Sequence, residues 1–320
     1  MRLGSTAVWL AAFLVPALPV WGDVPAFLLQ WGGFGSGPGQ FMLSHHLTVT
    51  ASGEVYVADI NNHRVQRFNA NGVFLSQWGL PTEAIGVAVG PDGTVYVSGG
   101  DRVWHLSASG AFLGVWGATG SANGEFRVPL DVTVDAAGFV YVADWGNHRI
   151  QKFTNTGGFV TAWGTQGSGD GQFELPAGLV AEPGGTILVA DVNTQRMQRF
   201  SADGVFLFGW GTSGSGPGQW AGPEKPCVDL HGNIIVPDPG NHRIQAYKAD
   251  GTFVLQWGSF GTAPGQFNLP TAVGVDGEGS LYVLDKDNYR VQKFSSVMTG
   301  VQPVAWGDMK QRFRPRRAAP

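Results

Sequence analysis

The chain has 320 residues, with 24 acidic against 20 basic side chains and a formal charge of -4, so it has no electrostatic footprint for nucleic acid or an anionic membrane. Glycine, at 49 residues, is about twice its average share, and charged residues, at 14%, are about half theirs, which argues against a helical protein. With 43% hydrophobic residues and 12 Trp, the chain has ample core material and disorder is excluded.

In chain order, Met1 and Arg2 precede an apolar run from Ala7 to Leu18 that ends near Trp21-Gly22-Asp23. A basic start, a short apolar stretch and a polar exit predict a signal peptide over residues 1–22 and a secreted or periplasmic protein. The run, about twelve residues, falls short of the ~20 that span a bilayer as a helix, and no transmembrane segment is expected in the mature chain. Cys227 is the single cysteine, so stability must come from packing rather than from an internal disulfide.

Trp-Gly pairs then recur at Trp31, Trp78, Trp116, Trp163, Trp210, Trp257 and Trp306, with spacings of 47, 38, 47, 47, 47 and 49. Between them a second element repeats six times: Val55-Tyr56-Val57, Val95-Tyr96-Val97, Val140-Tyr141-Val142, Ile187-Leu188-Val189, Ile234-Ile235-Val236 and Leu281-Tyr282-Val283. Each copy reads as four short strands: an inner apolar strand, a turn closed by Gly (Gly53, Gly93, Gly138, Gly185, Gly232, Gly279), the Val-Tyr-Val strand, a strand opened by Asn-His-Arg, and an outer strand ending in Trp-Gly. Four strands in about 45 residues is the pattern of a propeller blade.

The runs Asp59 to Phe68, Asp144 to Phe153 and Asp238 to Tyr247, each Asp-x-x-Asn-His-Arg with Gln two residues later, resemble the NHL repeat. The resemblance covers about residues 27 to 298. It implies an all-β, six-bladed β-propeller, of a kind also found among exported bacterial proteins. The domain reading is therefore signal peptide at 1–22, propeller at 23–298 and basic C-terminal tail at 299–320. Seven Trp-Gly strands surround six cores, and the stretch from Phe294 to Trp306 is two residues longer than in the regular copies. Phe27 to Gly32 is therefore expected to close the last blade, the one containing Val283, which removes a free sheet edge at the seam. Trp306 then belongs to the tail, which reads as a solvated end or as an attachment to a surface component.

Several motifs are read as structural. His63, His148 and His242 occupy one place in three different blades, so they lie apart rather than converging on a metal. The Asp residues of that loop pair with Arg64, Arg149, Arg196, Arg243 and Arg290 as loop ties, and the buried amides of Gln66, Gln151, Gln198, Gln245 and Gln292 take partners from the neighbouring blade. The Trp of each Trp-Gly pair is a packing anchor. The glycine-rich segments lack the Gly-Lys-Ser/Thr of a phosphate loop, and read as links whose aromatic residue fills the space between blades.

A residue that the fold requires recurs in every copy, so function is sought where the repeat breaks. Trp78 to Trp116 is nine residues short, eight of them assigned to the link before Gly86 and one to the loop near Gly99, which predicts a notch on one face at blade two. Three residues before Val49, Val89, Val134, Ala181, Val228 and Val275 stand His46, Gly86, Asp131, Gly178, Lys225 and Ala272. With His45 and Glu224 beside them, His46, Asp131 and Lys225 are expected to surround the mouth of the central channel, contributing little to blade packing. They form the candidate ligand site, and polar groups that merely solvate the channel are the competing reading.

No nucleophile with its base is evident, so neither catalytic residues nor a metal or cofactor is expected. The leading reading is an exported, non-catalytic, monomeric module that binds a protein or small polar ligand at the channel mouth. The alternative is a lyase or hydrolase with a metal at the channel. The resemblance extends to peptidyl-amidating lyases, which use histidine ligands on a central zinc, and three converging histidines are not evident here. A structural envelope protein is a third reading.

Overall fold

The computed structural model describes residues 24–297, and the proposed signal peptide, the tail and Trp306 lie outside them. Six four-stranded antiparallel sheets follow one another, each running from an innermost to an outermost strand. Blade one comprises Ser44–Val49, Val55–Asp59, Arg64–Phe68 and Phe74–Gly79. The innermost strands of the other blades are Gly86–Val89, Pro129–Val134, Pro176–Ala181, Cys227–Val228 and Pro270–Val275. Among the described residues no helix is long and apolar enough to cross a membrane.

The second strand is apolar at successive positions because its two faces serve two different cores. Val140 and Val142 pack with Tyr96 and Val103 of blade two, whereas Tyr141 and Ala143 pack with Leu179, Ile187 and Val189 of blade four. Core therefore lies between blades, and each blade is half of two cores. The link aromatics Phe41, Phe126, Phe173, Trp220 and Phe267 are fully buried in these seams.

The ring closes with the chain's own beginning. Phe27–Gly32 pairs antiparallel with Arg290–Phe294, with Trp31 opposite Val291 and Phe27 opposite Phe294, and so supplies the fourth strand of blade six.

The loop ties form on the expected residues. In blade one, Asp59 accepts from Asn62 at 2.8 Å and from Arg64 Nε at 2.8 Å, while Arg64 donates onward to the link carbonyls of Ser36, Gly37 and Gln40. Blades three, five and six repeat this Asp-Arg pair at 2.7 to 2.8 Å. Blade four holds it loosely, at 3.9 Å. The glutamines differ from expectation: Gln66 donates to Gln40 O and to Asp59 of its own blade and accepts from Gly39 N–H, so its partners are the incoming link and its own loop rather than the neighbouring sheet.

Each loop ends on a left-handed residue, among them His63, His148 and His242, at φ between +49° and +56°. These histidines stay apart and tie each blade to the next link. His242 Nδ1 accepts from Leu269 N–H, His148 Nδ1 meets Glu174 O, and in blade two Asp101 Oδ1 takes the place of the histidine and accepts from Val128 N–H. Five of the Trp anchors, Trp31, Trp78, Trp116, Trp163 and Trp210, rest on a glycine of the following blade: a Cβ on Gly72 would lie 2.6 Å from Trp31, and one on Gly157 2.6 Å from Trp116.

Blade two is short on the channel-mouth face. It lacks the 3-10 turn that follows the second strand in blades one, three, five and six. Val95 pairs with Leu106 where Val55 pairs with Phe68, so the enclosed hairpin is two residues shorter; seven of the nine missing residues therefore come from the link and two from the loop.

Candidate functional site

Sequence places a proline or small residue at the start of each innermost strand, and just beyond it the pairing slips by a residue, between Pro129 and Asp131 and between Ser44 and Leu47. Such a bulge re-aims the next side chain, and here it puts His46 and Asp131 in the channel. Blade five departs further. Pro226 has no N–H, and while Glu224 N–H still donates to Pro237 O of its own blade, Lys225 turns to the next: Lys225 N–H donates to Thr271 O and Val273 N–H donates to Lys225 O, so Lys225 pairs with Ala272 of blade six. This detour carries Glu224 and Lys225 into the channel.

The five sequence-predicted residues meet there. Lys225 Nζ donates to Asp131 Oδ1 at 2.6 Å and to Val132 O at 3.2 Å. Asp131 Oδ2 accepts from Leu179 N–H at 2.9 Å. His46 Nδ1 lies 3.1 Å from Asp131 Oδ1, His46 Nε2 3.7 Å from Glu224 Oε2, and His45 Nε2 3.9 Å from Glu224 Oε1. The small residues of the alternate blades make room for this cluster. A Cβ on Gly178 would lie 2.5 Å from Lys225 N, and one on Gly86 2.8 Å from Asp131 Cα.

One expectation is corrected. Asp131 and Lys225 were expected at the mouth with little part in packing, but Asp131 is fully buried and Lys225 6% exposed, so their ion pair lies inside the ring rather than at its rim. Only His45 and Glu224 keep appreciable exposure, with 16% and 13% of their side chains accessible. Beyond the pair, toward the opposite face, lies a cavity of about 200 Å³ to which each blade contributes, with Thr48, Ala88, Thr133, Val180, Cys227 and Gly274 in its wall.

Electrostatics separates the two histidines. Burial pushes His45 down to about 4, against the pull of Glu224 and with His46 and Lys286 adding to the push, so the ring is neutral at pH 7. Burial also pushes His46 down, but the nearby Asp131 and Glu224 carboxylates outweigh it and raise the ring above its ordinary value. Burial pushes Asp131 up, yet Lys225 and His46 hold it below the ordinary carboxylate range.

Ligand atoms of His45, His46 and Glu224 all lie within 4.8 Å of one another. His45 Nδ1, both ring nitrogens of His46 and Glu224 Oε2 are buried without a well-directed hydrogen bond, even though His46 Nδ1 is close to Asp131. Leaving such atoms unsatisfied costs about 1–3 kcal/mol each. Two imidazoles and a carboxylate around a shared space fit a divalent ion of the zinc type, which takes such mixed nitrogen and oxygen donors. Sequence reasoning looked for a third histidine and did not weigh Glu224 beside His45 and His46; the Pro223-Glu224-Lys225-Pro226 interruption of an apolar strand was the available signal.

Comparison with known proteins agrees with this architecture. The NHL repeat pattern matches residues 45–68, 126–153 and 267–294, which fall in blades one, three and six. Peptidyl-glycine alpha-amidating monooxygenase B of Xenopus laevis is 30% identical over 134 residues, covering 37% of this chain and 15% of that protein. The match thus spans a small part of that relative. Among solved structures, a protein of unknown function from Bacteroides thetaiotaomicron superposes with a TM-score of 0.66 at 18% identity, covering 83% of this chain and 76% of the other. A gluconolactonase from Xanthomonas campestris gives 0.63 at 14% identity, covering 88% and 99%. At these identities the likeness is one of fold. The chain carries NHL repeats and folds as a six-bladed NHL-type β-propeller.

Proposed function

We propose that this propeller is a binding module that captures a small polar ligand at its channel mouth, with a divalent metal ion held by His45, His46 and Glu224 as the point of contact. The observation that carries the reading is the convergence of these three side chains, within 4.8 Å, where the repeat is broken. A bound ion of this kind supplies Lewis-acid attraction for a ligand oxygen. The chain's own residues do the rest: Glu224, partly open to solvent, accepts a ligand hydrogen bond, the neutral His45 ring leaves its lone pair available, and the shortened loops of blade two leave an approach. Export to the periplasm or beyond, and a monomeric state, belong to the same proposal.

A metal-assisted lyase or hydrolase is the second reading. It is favoured by the donor set, because two histidines and one glutamate are a ligand combination of catalytic zinc sites that keep a position open. The names of the amidating monooxygenase and the gluconolactonase lend it support at the level of fold and partial sequence.

Calorimetric titration of the chelator-treated protein with zinc tests the first reading. One equivalent is expected to bind, and Glu224→Ala and His45→Ala are each expected to weaken binding by at least tenfold. Absence of zinc, manganese and calcium binding by the folded parent overturns it. Turnover of peptides derived from peptidyl-glycine or of gluconolactone, abolished in Glu224→Gln, would replace it with the second reading.

A further inference from the structure

We infer that Asp131 is a positioning residue: it turns the Nδ1 edge of His46 inward and so presents Nε2 to Glu224 and the mouth. The inference rests on the metal-site reading above and extends it to a residue that does not touch the ion. Asp131 Oδ1 is shared by Lys225 Nζ at 2.6 Å and His46 Nδ1 at 3.1 Å, and Oδ2 accepts from Leu179 N–H at 2.9 Å. With both oxygens engaged and no solvent exposure, the carboxylate has nothing left to offer a ligand at the mouth.

It is also fixed from several directions. Leu179 belongs to blade four, Lys225 to blade five and His46 to blade one, so one side chain of blade three is gripped by three other blades. A group held this way is rigid on the scale that ring orientation demands. Histidines that ligate metals commonly give their second ring N–H to a carboxylate, and loss of that partner costs roughly 10- to 100-fold in affinity. Asp131 stands where that partner is needed, and Lys225 keeps it in place.

The test uses three variants of the full chain. Lys225→Met keeps the carboxylate. Asp131→Asn with Lys225→Met keeps a neutral acceptor and leaves no unpaired charge. Asp131→Leu with Lys225→Met removes the acceptor at similar volume. Zinc affinity by calorimetry and the His46 Nδ1–H signal by nitrogen-15 NMR are read for each, with circular dichroism confirming the fold.

Relative to Lys225→Met, which keeps the carboxylate and serves as the reference, zinc affinity is expected to fall in the Asn double variant and to fall by roughly 10- to 100-fold in the Leu double variant. The slowly exchanging Nδ1–H signal should persist in the first two and vanish in the third. Unchanged affinity together with a persistent signal in the Leu variant overturns the inference. Should the parent bind no zinc, the metal-site reading fails while the ring signal still decides whether Asp131 orients His46. If the Leu variant does not fold, the Asn variant decides: affinity and signal both equal to those of Lys225→Met overturn the inference.

Discussion

Gly178 of blade four lies against the backbone of Lys225 of blade five so closely that a methyl group in place of its hydrogen would come within 2.5 Å of Lys225 N. Backbone cannot swing aside as a flexible side chain does, so Gly178→Ala must push the Glu224-Lys225 segment outward. A stability loss of about 1–3 kcal/mol by urea denaturation is expected from this overpacking. Zinc affinity should fall with it, whereas Gly184→Ala, in a turn with open space around it, should change neither.

The Asp131-Lys225 pair makes a second prediction. Breaking a buried ion pair from one side leaves a charge without its partner and costs about 3–5 kcal/mol. Asp131→Ala and Lys225→Ala should each destabilise by that order, while Asp131→Asn with Lys225→Met should recover much of the loss. Single variants as stable as the parent in denaturant titration would show that water reaches the pair.

The histidines predict the pH dependence of the metal-free fold. His45 titrates near 4 when folded and near 6.5 when unfolded, so between these values the unfolded chain binds more protons and stability falls as the pH drops. His46 is shifted the other way, so its contribution is fully present below about 6.5 and is lost as the pH rises through its raised folded value. The two contributions therefore both fall away from about pH 6.5, His45 on the acid side and His46 on the alkaline side. Thermal melts across pH 4 to 9 should show His45→Asn flattening the acid limb and leaving the other limb in place.

Val128 adopts φ +53° at the entrance to blade three, where a β-branched residue is strained, and Asp101 Oδ1 holds its N–H at 2.8 Å. Glycine relieves such strain by about 1–2 kcal/mol, and the Val128 side chain is 41% exposed, so little packing is lost. Val128→Gly is expected to raise the urea midpoint, and Asp101→Ala to lower it. A lower midpoint in Val128→Gly would mean that the side chain's contacts outweigh its conformation.

Closure by the N-terminal strand gives a prediction about the seam. Trp31 lies against Gly72 of blade one and near Phe68 and Tyr282, which places it across the seam. Trp31→Ala should cost about 3 kcal/mol, in the range for losing a large packed aromatic, and should speed amide exchange in Arg290–Phe294. Exchange unchanged in that strand would mean that the seam holds without the indole.

Most of the ring could be read from the sequence because a repeat samples each position six times. Trp31 was assigned across the seam from a spacing irregularity near Trp306, and the Asp-Arg loop ties from their recurrence. The site was legible only as a set of positions. His46, Asp131 and Lys225 stood out as exceptions to the repeat, but burial depends on how far each strand is displaced toward the axis. That displacement comes from the pairing slips and from the Pro226 detour, which change hydrogen-bond partners without changing hydropathy. The approach of Glu224 to the histidines was hidden for the same reason: aligning it with an ordinary inner strand gives no sign that the next residue, Lys225, bridges to another blade.

The parallel bridge between Lys225 and Ala272 also bears on how the ring comes apart. Elsewhere the blades meet mainly through side chains and links, but at the hub the fifth and sixth blades share backbone hydrogen bonds, so displacing the innermost strand of one removes hydrogen bonds from the other. Opening events should therefore treat these two sheets as a single cooperative unit, and the weakest hinge of the annulus falls across from them. Blade two, with its shortened link and without the Asp-Asn-Arg tie, is where sub-global unfolding should begin, and its amides should exchange through openings of lower free energy than those of the welded pair.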